Sequence, residues 1–295
     1  MSEKRRKPPR VGDAPAFRNS LIAAVLVLVA LIVIAPMAII GVQAFSLGLE
    51  YFAQTIADPD TLSAIWLTVL TALIAVPINT IFGIAAAWSI TKFDFPGKRF
   101  LLIVIELPFS ISPIVAGVAY LFVYGLQGLF GEVLQSADMK ILFSLPGIVL
   151  ASMFVTAPFV ARELIPLMQA QGRDLEEAAT SLGASGWRTF FSVTLPNIKW
   201  ALLYGVVLCN SRVMGEFGAV SVVSGNIRGQ TNTLPLHIEL LYQDYNAVGA
   251  FAAASILASL AVVTLVAKVL LERQGAGRVS RPALATVSNV PEKNQ

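Results

Sequence analysis

Charge is scarce in this chain. Asp, Glu, Lys and Arg make up only 13% of its 295 residues, against about 25% in an ordinary soluble protein. With 56% hydrophobic residues and a mean hydropathy of +0.73, a soluble globular domain is excluded. The lone cysteine, Cys209, excludes an internal disulfide and a Cys-rich metal site, and leaves the redox compartment open. The lone histidine, His237, excludes a histidine metal cluster and any His-Glu-x-x-His helix. No phosphate loop is present: Gly97-Lys98 lacks both the first glycine and the hydroxyl of that motif. Gly-x-Ser-x-Gly is also missing, so no catalytic residues and no metal ligands are assigned. Work done by such a chain must be powered by an ion gradient or by a separate ATPase.

Long apolar runs are what the sequence does have. After a basic tail over 1–18, which carries Lys4, Arg5, Arg6, Lys7, Arg10 and Arg18, an apolar run covers 20–45. It exceeds the roughly 7–15 apolar residues of a signal peptide, although Val42-Gln43-Ala44 resembles a cleavage site. Five more runs, near 62–91, 100–126, 141–169, 198–224 and 247–271, reach the ~20 residues needed to cross hydrocarbon. Pro77, Pro108, Pro113, Pro146, Pro158 and Pro166 lie in or near them, and a helical bundle tolerates the backbone groups they free. The expectation is an all-α, polytopic membrane protein of about six transmembrane helices. Its membrane domain covers 19–274, and a Gly-, Ser- and Pro-containing tail over 275–295 reads as disordered.

The loops fix the expected orientation. Sixteen Lys and Arg fall in the N-terminal tail, 92–99, 170–199 and the C-terminal tail; the opposite loops hold only Lys140 and Arg228. Both termini are therefore expected in the cytosol. This bias also accounts for the net charge of +3 and the pI of 9.1 without a nucleic-acid partner. A polar island at 172–196 lies on that same side. Asp174 and Glu177 have the spacing of a helix cap with a capping box, Gly183 ends the helix, and Ser185 starts a second one bearing Trp187, Phe190 and Phe191. Two short helices with exposed aromatics need something to pack against.

A charge within a span costs roughly 2.5–3.5 kcal/mol on insertion scales. Arg212 and Glu216 are four apart on the fifth run, with Gly215 and Gly218 leaving room nearby. Two readings stand: a pathway lining in which Arg212 attracts an anion, or a self-neutralised pair joining helices. Arg162 and Glu163 read as residues near the cytosolic end of the fourth run, within snorkelling reach, and Glu106 is a further candidate. Glu106-Leu-Pro-Phe-Ser110-Ile-Ser112-Pro113 breaks the third run and offers hydroxyls and freed amides. A fully ionised oxyanion accepts hydrogen bonds and donates none, which makes such a lining apt. A plain kink is the other reading. The stretch 236–245 reads as a short amphipathic helix for the membrane surface or a partner. On it His237 is expected to be solvated, and Cys209 is expected to be a packing residue.

Glu177-Ala-Ala-x-x-x-Gly183, continuing to Val193-Thr-Leu195-Pro196, resembles the coupling loop of ABC-importer permeases, with Val193 where Ile is usual. Leu107-Pro-Phe-Ser-Ile-Ser-Pro-Ile-Val-Ala-Gly117, Phe154-Val-Thr-Ala-Pro-Phe-Val-Ala-Arg-Glu-Leu164, Met214-Gly-Glu-Phe-Gly-Ala-Val-Ser-Val-Val-Ser-Gly225 and Arg228-Gly-Gln-Thr-Asn-Thr-Leu-Pro235 extend the likeness over about 20–272. Together they resemble the sulfate/thiosulfate ABC-importer permeases, the W-type subunit most closely. Gly-Glu-Phe-Gly-Ala is shared with molybdate permeases, so a molybdate or tungstate permease is the alternative substrate reading. A membrane scaffold that docks a cytosolic enzyme is the alternative of another class. The resemblance implies a type I importer fold, a second homologous permease as partner, and a soluble sulfate-binding protein outside. It also implies cytosolic ABC ATPase subunits that hold the ATP and Mg, no cofactor being expected on this chain. Asp174, Glu177, Ala178, Ala179, Gly183, Trp187, Leu195 and Pro196 would form the ATPase contact, and Ser110, Ser112, Arg212, Gly215 and Glu216 the anion path.

Overall fold

The computed structural model describes residues 15–279. Every regular element among them is helical. Five helices are long and apolar enough to cross a membrane: span 1 (Phe17–Ala44), span 2 (Pro59–Lys92), span 4 (Leu145–Gln171), span 5 (Gly186–Met214) and span 6 (Ala247–Thr264). Span 3 is a bent pair, Lys98–Ser110 and Pro113–Tyr124, turning by 109° between its limbs. The 100–126 run is thus not one crossing helix. Pro113 opens the second limb with its fixed φ, after Ser112 leaves helical geometry.

Two further expectations change. Span 5 starts earlier than 198 and stops at Met214, and Gly218–Val223 follows as a separate short helix. The helix of span 6 continues to Val279, into the segment expected to be disordered. Residues 280–295 and most of the basic tail, 1–14, lie outside the described residues.

Spans 2, 4 and 5 form the core through Ala72, Ala75, Ala87, Val160, Leu164, Met168, Ile198 and Cys209. Small residues allow this packing, which in lipid depends on close backbone approach. A side chain at Gly83 would meet Val160 at 2.6 Å, and one at Gly205 would come within 3.2 Å of the Val160 backbone. Cys209 is fully buried there, as a packing residue should be. Span 1 touches the bundle through its second half, against span 6, and is otherwise exposed.

At the end remote from the 172–196 loop, Asp58 caps span 2 by accepting from the amides of Asp60 and Thr61. Helix Leu234–Gln243 packs against spans 2 and 6. Its His237 is buried, not solvated, and shares a 2.9 Å hydrogen bond with Thr61. The Thr68 hydroxyl accepts from the Leu234 amide at 2.8 Å. Burial holds the His237 pKa below its ordinary value, with nearby Asp58 and Asp60 opposing that shift.

Candidate coupling loop and anion pathway

The loop's first helix runs Asp174–Ser181 with Arg173 at its N-cap and no side-chain cap. Asp174 therefore does not cap the helix, and the capping box with Glu177 does not form. Asp174, Glu176 and Glu177 instead crowd the first turn, where the helix dipole favours negative charge. Gly183 ends the helix as expected. At φ +86°, it donates to the Thr180 carbonyl at 2.9 Å, while the Ala184 amide reaches the Ala179 carbonyl at 3.0 Å. This is the Schellman arrangement, which favours glycine at that position.

Ser185 precedes the next helix but makes no side-chain cap. That helix is not free-standing. Gly186–Thr189 passes through a π-helical turn, Phe190–Thr194, directly into Leu195–Met214. The loop is thus the lower end of span 5, with Pro196 in the first turn of the α-helical part and Leu195 packed on the core.

Glu176, which the sequence reading passed over, fastens this loop. Its carboxylate meets the Lys92 ammonium at 2.8 Å and accepts from the Thr194 hydroxyl at 3.1 Å. Lys92 also donates to the Gly172 carbonyl. Asp94 bridges Arg173 at 3.0 Å and Lys98 at 3.3 Å, and the Arg173 and Lys98 hydrogen bonds hold its carboxyl below the usual range. The one available signal was Lys92, a lone cation ending an apolar span. The outward face is open: Glu177, Ala178 and Gly183 are exposed, and Ala179 is half-buried. Leu182 at 90% and Trp187 at 72% exposure are uncovered apolar side chains, as are Leu175 and Phe191, and Trp187 stacks on Phe191 with ring centroids 6.1 Å apart. Exposed apolar patches are typical of interaction sites.

On the candidate pathway, Arg212 and Glu216 do meet, at 2.7 Å. They are not on one helix, because Glu216 lies beyond the Gly215 cap of span 5. Glu216 is buried, and its other oxygen accepts from the Ala219 amide at 3.1 Å, capping the Gly218–Val223 helix. Gly215 is exposed and Gly218 lies against Pro113, so the break after span 5 abuts the break in span 3. Ser110 and Ser112 are exposed at that turn. Arg162 is exposed within span 4, with its guanidinium carbon 4.9 Å from the Phe109 ring centroid.

The description "Binding-protein-dependent transport system inner membrane component" belongs to the family whose pattern matches residues 79–274. The sulfate transport system permease protein CysW of Escherichia coli is 58% identical over 243 residues, 82% of this chain and 84% of that protein. Its namesake in Synechococcus elongatus is 53% identical over 262 residues, covering 89% and 91%. The sulfate permease protein CysT of Escherichia coli is 34% identical over 251 residues, covering 85% and 90%. A bacterial ABC transporter involved in import of the polysaccharide alginate superposes with a TM-score of 0.72 at 17% identity, over 90% of this chain and 96% of that one. That last likeness concerns the fold alone, the ABC-importer permease fold. The chain belongs to the family of binding-protein-dependent transport system inner-membrane components, as a permease subunit and not an enzyme.

Proposed function

We propose that this chain carries sulfate inward across the membrane, driven by ATP that a separate ATPase hydrolyses while docked on residues 172–196. The observation that carries this reading is the loop itself: an exposed apolar surface continuous with span 5 and pinned to span 2 through Lys92 and Glu176. A push on that surface moves two membrane helices together. Glu177, Ala178, Ala179, Gly183 and Trp187 make the ATPase contact, while ATP and Mg stay on the ATPase. The likeness to sulfate permeases supports sulfate as the substrate, and thiosulfate is the expected second one. A second homologous permease supplies the other half of the path, as the paired likeness to CysW and CysT suggests. A soluble binding protein outside delivers the anion; a related-fold transporter has been crystallised with its periplasmic protein. Both termini and the loop face the cytosol, in keeping with the excess of Lys and Arg there.

The test is radiolabelled sulfate uptake in cells lacking this chain, with and without its restoration, competed by thiosulfate, molybdate and phosphate. Restored uptake that thiosulfate suppresses is expected. Uptake blocked by molybdate alone, or no restored uptake at all, contradicts the proposal.

A further inference from the structure

Two arginines sit within or at the end of spans, and their surroundings differ. Arg212 is already answered by Glu216. For Arg162, no carboxylate lies within ion-pair distance among the described residues. Its depth follows from two helices. It precedes the Gln171 end of span 4 by nine residues, roughly 13 Å along the axis. Phe109, beneath its guanidinium, is eleven residues past Lys98, or about 16 Å along the first limb of span 3. Lys98 and Gln171 mark the same end of the bundle, tied together through Asp94 and Arg173. With that end of the bundle at the membrane boundary, both measures place the charge well inside a ~30 Å hydrocarbon layer. Helical side chains lean toward the N-terminus, which for span 4 points away from the nearer surface and disfavours snorkelling to it.

Arg162 nonetheless faces out of the chain. Lipid there would leave an unanswered charge in hydrocarbon, so this face requires water, an anion or the second permease against it. Ser110 follows Phe109 directly, and its hydroxyl and that of Ser112 are exposed where span 3 turns. A guanidinium over Phe109 and the hydroxyls of the turn that follows it are donors of the kind a tetrahedral oxyanion accepts from. We propose that Arg162, with Ser110 and Ser112, is the direct contact for the transported oxyanion in this chain, and that Arg212 serves the structure instead. This rests on the importer reading above.

The test uses the whole complex, with both permeases, the ATPase and the binding protein, in proteoliposomes. Arg162→Gln should lower the maximal rate of sulfate uptake at least about tenfold, with apparent affinity held, because the binding protein sets it. The double change Arg212→Gln with Glu216→Gln should cost less. In a Cys209→Ala background, Arg162→Cys should recover about threefold or more after a cationic methanethiosulfonate reagent restores the charge, and not after an anionic one. Uptake by Arg162→Gln within about twofold of the unsubstituted complex overturns the proposal, as does recovery with either reagent alike. Failure of Arg162→Gln to assemble assigns the residue to subunit packing and overturns it too. If the unsubstituted complex carries no sulfate, the importer reading fails on its own, whatever Arg162 does.

Discussion

Arg212 and Arg162 are the same residue in two opposite situations. Arg212 has Glu216 at 2.7 Å, and that carboxylate also caps the helix that follows. Among the described residues, Arg162 faces the Phe109 ring and no carboxylate. The difference is that the arginine most conspicuous in the sequence, with its glutamate four residues on, is the one whose charge is already spent. A charge available to a substrate is one the fold has left unanswered.

Stability measurements separate the two arginines. Glu216→Ala strands the Arg212 charge and uncaps the Gly218–Val223 helix. The expected loss is about 3 kcal/mol, the low end for breaking a buried pair, since Arg212 retains some exposure. Thermal melting of the detergent-solubilised complex would show it, and adding Arg212→Met should recover most of it. Next in size is Lys92→Met, which leaves Glu176 half-buried and unpaired, at about 1.5 kcal/mol. Hydrogen exchange across 173–182 should rise, while exchange around Gly218–Val223 should not change.

His237 gives a smaller, pH-dependent effect. Burial depresses its folded-state pKa, so the unfolded chain binds the proton more readily. Its contribution is fully present above about pH 6.5, the ordinary histidine value, and is lost as pH falls below it through the depressed folded value. Melting temperature should drop between pH 7 and 5, and His237→Gln should flatten that slope. The smallest stability change belongs to Arg162→Met, within about 0.5 kcal/mol. A loss above 2 kcal/mol there would make the two arginines alike, both structural, and dissolve the contrast.

Much of the fold could be read from runs of apolar residues, because a span is a local property of composition. Gly183 was equally legible, since a Schellman turn is written in one residue. What failed depended on rotation or on distant partners. Asp174 has the chemistry of a cap, but the N-cap position falls one residue sooner, on Arg173, and Asp174 is the first residue of the helix. Pro108 and Pro113 announce a break in span 3, whereas its angle of 109° and the packing of the second limb on Gly218–Val223 belong to the tertiary structure. His237 lies on an amphipathic stretch, and packing of that helix against spans 2 and 6 buries it. Glu176 and Glu177 are neighbours of one type, and about 100° of helical rotation puts the first on Lys92 and the second outside. Arg162 reads as a snorkelling residue in the sequence, where its contact with the distant Phe109 ring is invisible.

In the proposed mechanism an ATPase acting on the 172–196 loop drives oxyanion movement through this chain. Its most direct test is sulfate accumulation in proteoliposomes containing the full complex, with the binding protein and sulfate on one side and ATP on the ATPase side. Accumulation should require hydrolysable ATP, stop with a catalytically dead ATPase, and stop when Gly183→Val distorts the loop. Accumulation that persists with the dead ATPase, or follows an imposed ion gradient, would contradict the account.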